Sequence, residues 1–241
     1  MVSRRAVLGR AVLGAGALGV LPGARAGDLP AARAAGVGRP GSAAEALRRL
    51  RDGNDNWVAN RARHPDASLP RRQDLADGQA PFAVVFSCID SRVPPELVFD
   101  QGLGDLLVVR TAAHTLDRLV TGSLEYGPAE LATPLLVVLG HQRCGAVTAA
   151  VRAFEAGEPL PGHLADVAQD LRAPYEAVAS EVAASEAAPG GLVEAVVREQ
   201  TRQVVEQLRA DRLLAPLVGE GRLLVCGAYY SLDTGTVGFA G

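Results

Sequence analysis

Four short runs of apolar residues, separated by longer amphipathic stretches, constrain the fold of this chain more than any other feature. Within each run the apolar side chains follow one another instead of alternating with polar ones, which is typical of strands buried on both faces of a sheet. The runs cover residues 82–87, 106–110, 135–139 and 222–227. Helical patterns cover 118–131, 145–157, 164–182 and 192–211. This alternation predicts an α/β fold with a mostly parallel four-stranded sheet flanked by helices.

Two further segments complete the predicted domain. Ser42 and Glu45 form a capping-box pattern, which predicts a helix over residues 42–60. At the other end, a turn leads into residues 236–240, which we predict to be an additional C-terminal edge strand. No internal repeat or linker interrupts the pattern, so the sequence predicts a single domain over residues 42–241.

The first 26 residues have the composition of a targeting segment. A basic start that includes Arg4-Arg5 is followed by a short, glycine-rich apolar stretch and a small-x-small cleavage pattern at 24–26. The apolar stretch is too short for a stable membrane span. We expect a signal peptide over 1–26 that resembles the twin-arginine export signal, and a flexible lead-in over 27–41. The alternative is an alanine-rich extension without a sorting role.

The mature chain is then expected outside the cytoplasmic membrane, in the periplasm, the cell wall or the medium, with no stable membrane span. Its charge also limits the partners it can have. The full chain carries 24 basic and 27 acidic residues, and the first 26 residues hold four arginines and no acid. The rest therefore has a formal charge of −7, which does not suit a polyanion. We predict no nucleic-acid partner.

Two of the three cysteines lie just beyond the carboxyl ends of predicted strands. Cys88 follows the first strand, and His141 and Cys144 follow the third. Parallel sheets bind ligands at this edge, and two thiolates with one imidazole suit a zinc ion that keeps a fourth position open for water. The alternative is two unrelated capping residues and a reduced thiol. Cys226 lies inside the fourth apolar run and is predicted to be a buried small hydrophobe.

Asp90 and Arg92 lie directly after Cys88 and add charged groups to this edge. A carboxylate that accepts a hydrogen bond from metal-bound water favours hydroxide. Arg92 can hold Asp90 through a bidentate pair that keeps the carboxylate ionised. The alternative is an ordinary ion pair in a loop.

These two motifs together resemble those of the β-class carbonic anhydrases. Residues 88–92 read Cys-Ile-Asp-Ser-Arg and residues 141–145 read His-Gln-Arg-Cys-Gly, which match the family patterns Cys-x-Asp-x-Arg and His-x-x-Cys. The likeness extends from the helix at 42–60 to the turn at 233–235. The resemblance implies one Zn²⁺ per chain, zinc ligands Cys88, His141 and Cys144, and a catalytic dyad of Asp90 and Arg92.

The resemblance also assigns two substrate contacts and shows one departure. Gln79 matches a glutamine that the family places beside the substrate, and Gly145 matches a glycine whose backbone N–H faces the metal-bound ligand. The family loop Arg-Asn-Ala-Gly-Asn reads Arg-Thr-Ala-Ala-His at residues 110–114. Its His114 either faces the cleft as a proton shuttle or caps the next helix, and we favour the cap.

The activity implied by the resemblance is the reversible hydration of carbon dioxide to bicarbonate and a proton by zinc-bound hydroxide. The alternatives are hydrolysis of CS2 or COS on the same zinc site and a non-catalytic exported zinc-binding protein. The Asp90–Arg92 pair argues against the second alternative, because metal storage needs no base beside the metal. The helix at 42–60 carries Trp57 on an apolar face and precedes the first strand without a crossover partner of its own. The resemblance implies that this helix packs on a neighbouring subunit, in a homodimer or a dimer of dimers.

Overall fold

The strands form one five-stranded sheet. The computed structural model describes residues 38–184 and 191–240. The strands are β1 (Ala83–Cys88), β2 (Leu106–Thr111), β3 (Leu135–His141), β4 (Leu224–Tyr230) and β5 (Val237–Phe239). They lie in the order β2-β1-β3-β4-β5; the first four are parallel and β5 is antiparallel to β4. The predicted α/β fold, with its mostly parallel sheet and C-terminal edge strand, is confirmed.

Helices connect the strands and cover the sheet. In chain order they are α1 (Ala43–Val58), α2 (Leu69–Asp74), α3 (Pro95–Val98), α4 (Arg118–Glu130), α5 (Gly145–Ala156), α6 (Leu164–Asp170), α7 (Arg172–Ala184), α8 (Gly191–Arg209) and α9 (Leu214–Gly219). A short 3-10 turn, Ala112–His114, follows β2.

The sheet separates two apolar clusters, and this explains why its inner strands are apolar on both faces. In β1, Val85 belongs to a cluster with Leu50 and Phe99, whereas Phe86 belongs to a second cluster with Leu208. Every residue of β1 and β3 is buried. Because consecutive side chains point to opposite faces, a strand covered on both sides reads as a continuous apolar run.

The structure shifts two of the predicted boundaries. The fourth strand runs over Leu224–Tyr230 instead of 222–227, because the N–H groups of Arg222 and Leu223 both donate to the Leu217 carbonyl in a turn after α9. The helix predicted over 164–182 is two helices, α6 and α7. Pro174 lies at the junction, and its ring cannot follow Asp170 within one continuous helix, since proline lacks the N–H that would bond the carbonyl four residues before it.

The first helix packs on its own chain. Its N-cap is Ser42, whose hydroxyl accepts from the Glu45 N–H at 3.2 Å, as the capping-box pattern predicts. Gly53 lies so close to α3 that a Cβ there would be 1.8 Å from the Phe99 carbonyl oxygen. The Trp57 indole N–H donates to the Tyr230 hydroxyl at 3.2 Å. Contacts with residues far apart in sequence therefore hold α1 against its own chain.

A stability prediction arises at the end of α4. Ala132 follows the helix, is exposed, and has a φ of +50°. A left-handed residue with a Cβ costs about 1–2 kcal/mol, and glycine's greater freedom in the unfolded chain offsets about 0.5–1 kcal/mol of the relief. Ala132→Gly is therefore expected to raise the free energy of unfolding by about 0.5–1 kcal/mol in a denaturant titration.

Gly157 provides the matched control for this prediction. It ends α5 with a φ of +66° and has no atom within 4 Å of an added Cβ. Gly157→Ala should therefore lose stability by a similar amount through backbone conformation alone. A lower stability of Ala132→Gly would contradict the interpretation.

The predicted signal peptide at 1–26 and most of the lead-in at 27–41 lie outside the described residues. Within the described ranges, every helix is too short or too polar to cross a bilayer.

Candidate metal centre

The three predicted ligands meet at the carboxyl edge of the sheet. Cys88 is the last residue of β1 and His141 is the last residue of β3, and these strands are hydrogen-bonded neighbours. Cys144 precedes α5 as its N-cap and makes no side-chain capping bond. The parallel topology thus brings together two thiols that are 56 positions apart in sequence.

The donor atoms have the spacing of a metal site. One ligand atom from each of Cys88, His141 and Cys144 lies within 4.8 Å of the others, and all three residues are buried. The two Sγ atoms are 3.8 Å apart, and all three cysteines of the chain are free thiols. Two sulfurs bound at about 2.3 Å to a tetrahedral zinc ion would be about 3.8 Å apart. The chemistry and spacing of the donors therefore fit zinc.

His141 presents an unused nitrogen to this group. Its Nδ1 lies 3.0 Å from the Gln142 carbonyl oxygen, which only accepts, so Nδ1 carries the proton and donates it. Nε2 is then an acceptor, and among the described residues it has no hydrogen-bond partner although it is buried. A buried lone pair without a donor is costly unless another group binds it. A metal ion between His141 and the two thiols would satisfy it.

The two thiols are strongly coupled. The Cys144 thiol donates towards Cys88, and this bond lowers the pKa of Cys88 against the effect of burial. The same bond, together with burial, raises the pKa of Cys144. Without a metal, this bond favours the thiolate at Cys88 and keeps the proton on Cys144. Binding of a divalent cation would release the remaining proton.

Asp90 and Arg92 form the bidentate pair that the motif predicts. Arg92 donates from Nε to Oδ1 of Asp90 at 2.9 Å and from Nη2 to Oδ2 at 2.7 Å. This bonding lowers the pKa of Asp90 to about 2, so its carboxylate is ionised throughout the neutral range. Oδ2 lies 3.9 Å from Nε2 of His141, which places the carboxylate at the edge of the donor group.

Arg110 is a functional residue that the sequence interpretation missed. Its Nε donates to the Cys88 carbonyl at 2.8 Å and its Nη2 to the Asp90 carbonyl at 2.5 Å. It therefore fixes the backbone on both sides of Ile89 and orients the ligand and the carboxylate relative to each other. The sequence did offer one indication of this role. Arg110 lies at the end of the second predicted strand, which pairs with the strand that carries Cys88.

A second arginine ties the His-x-x-Cys turn to the C-terminal turn. Arg143 makes a bidentate pair with Asp233, at 3.0 Å and 2.7 Å, and Gln142 also donates to Asp233 at 2.8 Å. The Arg143 carbonyl accepts from Arg92 at 3.2 Å. These bonds connect the loop after Cys88 to the loop after His141. They also connect the loop after His141 to the turn between β4 and β5, which contains Asp233.

His114 occupies neither of its expected positions. The N-cap of α4 is Asp117, so the favoured capping interpretation is wrong. The imidazole is 1% exposed, and burial lowers its pKa to about 4, so its neutral form is favoured and its position does not suit a proton shuttle to solvent. It bonds instead to Thr201 in α8, with 3.2 Å between Nε2 and Oγ1. Long-range packing between α8 and the 3-10 turn decided this position.

Gln79 and Gly145 differ in their relation to the site. Gly145 is the first residue of α5, next to Cys144, and an added Cβ would meet no atom within 4 Å. Gln79 is exposed on the loop that leads to the amino end of β1, whereas Cys88 ends that strand. A six-residue strand spans roughly 17–20 Å. One chain therefore does not bring Gln79 to the donor group.

Cys226 is buried in β4, as predicted, and is not one of the grouped donors.

Comparisons with known proteins agree with this geometry. The protein-family model described as Carbonic anhydrase matches residues 83–237, which include all three donors and the dyad. Carbonic anhydrase 2 of Mycobacterium tuberculosis is 41% identical over 191 residues, covering 79% of this chain and 89% of the relative. Carbonic anhydrase of Mycolicibacterium smegmatis is 39% identical over 193 residues, covering 80% and 90%.

Solved structures share the fold. A tetrameric β-carbonic anhydrase of the filamentous ascomycete Sordaria macrospora has a TM-score of 0.65 at 23% identity, covering 82% of this chain and 98% of the other. A β-carbonic anhydrase of Aspergillus fumigatus has a TM-score of 0.59 at 27% identity, covering 82% and 89%. With the family match over most of the folded chain and the donor set in place, this chain belongs to the β-class carbonic anhydrases.

Proposed function

We propose that this enzyme hydrates carbon dioxide reversibly through one zinc ion per chain, held by Cys88, His141 and Cys144. The observation that carries the proposal is the convergence of two buried thiols and the unpartnered Nε2 of His141 beside an ionised carboxylate. When bound, zinc supplies a Lewis acid that makes water acidic enough to act as the nucleophile.

The chain's own residues orient that nucleophile. Asp90 is ionised and accepts a hydrogen bond from the attacking water, which fixes the direction of the oxygen lone pair. Arg92 occupies both carboxylate oxygens from one side, so it holds Asp90 in place and keeps its charge. Arg110 fixes the loop carbonyls behind them. We assign to Gly145 a backbone N–H that donates to the bicarbonate oxygen, since Gly145 begins α5 next to Cys144.

A stopped-flow assay of CO2 hydration with a pH indicator tests this activity directly. Zinc-loaded protein is expected to accelerate acidification far above the buffer rate, and chelator-treated protein is not. A zinc-loaded protein with only the background rate would overturn the proposal.

The alternatives are less favoured. Hydrolysis of CS2 or COS would use the same donor set, but the matching family model and the curated relatives are carbonic anhydrases. Metal storage without turnover would leave the bidentate Asp90–Arg92 pair without a role. The same assay with COS in place of CO2 distinguishes the first alternative.

We also propose that the protein is exported through the twin-arginine route. A thiolate zinc site exported unfolded would meet an oxidising compartment with Cys88 and Cys144 exposed, and a disulfide could form before zinc bound. A route that carries folded proteins lets zinc bind in the reducing cytosol. The pair Arg4-Arg5 before the apolar stretch supports this proposal.

The export proposal predicts the behaviour of a double variant. Arg4→Lys combined with Arg5→Lys should leave active, zinc-loaded enzyme inside the cell with residues 1–26 uncleaved, as seen by fractionation and mass spectrometry. In the unaltered protein the mature terminus should lie just after Ala26, to within a few residues. Normal amounts of mature double variant outside the cytoplasm would contradict the route.

We propose a homodimer or a dimer of dimers. The structurally similar Sordaria macrospora enzyme is described as tetrameric. In the described residues β2 pairs on one side only, and Leu119 in α4 is 83% exposed. A role for Gln79 beside the substrate also requires a second copy, because Gln79 lies away from its own site. Light scattering should give at least twice the monomer mass, and a stable monomer with full activity would contradict assembly.

A further inference from the structure

The imidazole of His114 is held under the metal site by α8. It is 1% exposed, and Nε2 lies 3.2 Å from Oγ1 of Thr201. Thr201 donates its own hydroxyl proton to the Val197 carbonyl at 2.9 Å, so its oxygen accepts from His114 and Nε2 carries the proton. The Val197 carbonyl therefore sets the direction of the hydrogen bond, with His114 as donor and Thr201 as acceptor.

The approach of α8 to this point depends on a glycine next to a ligand. Gly140 precedes His141 in β3, and a Cβ there would lie 2.6 Å from Oγ1 of Thr201 and 3.7 Å from Cε1 of His114. The absence of a side chain at Gly140 therefore lets Thr201 reach His114. The same helix, the ligand-bearing strand and the 3-10 turn meet at one place.

The 3-10 turn itself is strained. Ala113 and His114 have φ values of +51° and +43°. Such conformations cost residues with a Cβ about 1–2 kcal/mol each, although histidine tolerates them better than most, so the surrounding structure must hold them. In this conformation the Ala113 N–H points at Sγ of Cys88, with 3.3 Å between the two atoms. The strained turn thus supplies a hydrogen bond to a zinc-ligating sulfur.

We propose that His114 is a positioning residue of the metal centre: its bond to Thr201 holds the strained turn so that the Ala113 N–H stabilises the Cys88 thiolate. The inference rests on the proposed zinc site. It adds a chain of contacts from Thr201 in α8 through His114 and Ala113 to the Cys88 ligand, which we call the relay. Partners of metal ligands change metal affinity by about 10–100-fold when they are removed.

Substitutions at Thr201 test the relay without altering the turn or the ligands. Thr201→Val keeps the shape and removes the acceptor, whereas Thr201→Ser keeps the hydroxyl. Thr121→Val is the matched control, because the Thr121 hydroxyl also bonds the carbonyl four residues earlier, in α4 and away from the site. Zinc affinity is measured by competition with a chelator, and the sulfur-to-metal charge-transfer band is measured in the cobalt(II)-loaded protein.

We expect Thr201→Val to bind zinc about tenfold more weakly. Its cobalt charge-transfer band should move to lower energy, since a thiolate without its N–H donor gives up an electron more easily. Thr201→Ser and Thr121→Val should keep both properties. His114→Asn should behave like Thr201→Val, because asparagine suits the left-handed conformation but is too short to reach Thr201; this variant serves if Thr201→Val folds poorly.

The outcomes separate the inference from the proposed function. A wild-type protein that binds zinc, with Thr201→Val and His114→Asn unchanged in affinity and spectrum, would overturn only the relay. A wild-type protein that binds neither zinc nor cobalt at its thiols would overturn the zinc site and the relay together.

Discussion

Cys144→Ala is expected to leave the purified protein without zinc and without CO2 hydration. The unaltered chain should contain about one zinc per chain, held by two thiolates and one imidazole. Removal of one sulfur leaves two donors in a buried site, and Cys88 loses the thiol that lowers its pKa. The two remaining ligands bind zinc too weakly to retain it during purification. The zinc content measured by atomic emission should therefore fall to background. Cys88→Ala and His141→Ala should show the same loss.

Cys226→Ala is the matched control for this prediction. It removes the same sulfur from a buried position, but Cys226 lies in β4 and is not one of the grouped donors. It should keep full zinc and near-normal activity, although the lost packing lowers stability somewhat. Full zinc content in Cys144→Ala, or loss of zinc in Cys226→Ala, would show that the assigned ligand set is wrong.

Asp90→Ala is expected to keep its zinc and to lose activity by about 10²–10⁴-fold, the usual contribution of a positioned acid–base group. The metal should remain because the carboxylate is not one of the three grouped donors. The activity should fall because the variant lacks the carboxylate that accepts the water's hydrogen bond, whose Oδ2 lies 3.9 Å from Nε2 of His141. Zinc analysis and kcat/KM from stopped-flow traces separate the two effects.

Arg92 variants extend this test to pH dependence. Hydrogen bonds from Arg92 are the largest cause of the low pKa of Asp90, about 2 against an ordinary value of 3.8. Arg92→Ala should therefore raise that pKa, so the carboxylate is protonated earlier as the pH falls. The acid limb of the pH–rate profile should move to higher pH. Arg92→Lys keeps the charge but not the bidentate bond, and should show a smaller shift.

The dyad also contributes to stability with a defined sign. The folded-state pKa of Asp90 is depressed, so its favourable interaction is present above about pH 3.8 and is lost as the pH falls towards about 2. Arg92 is half exposed, so solvent screens the pair and the contribution is small.

For the activity, an unchanged rate in Asp90→Ala at neutral pH would contradict the role assigned to Asp90 as the acceptor of the water's hydrogen bond.

Local sequence was sufficient for the sheet and for the grouping of the three candidate metal donors. Strands buried on both faces read as continuous apolar runs, and parallel strands bring their carboxyl ends to one edge, so Cys88, His141 and Cys144 could be grouped before any coordinates. The Asp90–Arg92 bond could also be predicted, because its partners are two residues apart. Pro174 was a readable local signal for the break between α6 and α7, since its effect depends only on its neighbours.

Packing between distant segments determined the rest. His114 bonds Thr201, 87 positions away, and Trp57 bonds Tyr230, 173 positions away. Neither partner is indicated by spacing or by periodicity, because each depends on which helix face meets which strand. Arg110 is similar, since its acceptors are backbone carbonyls that any residue could offer. Periodicity identifies which elements form and which edge they share, whereas the contacts that orient a site follow from the three-dimensional arrangement of those elements.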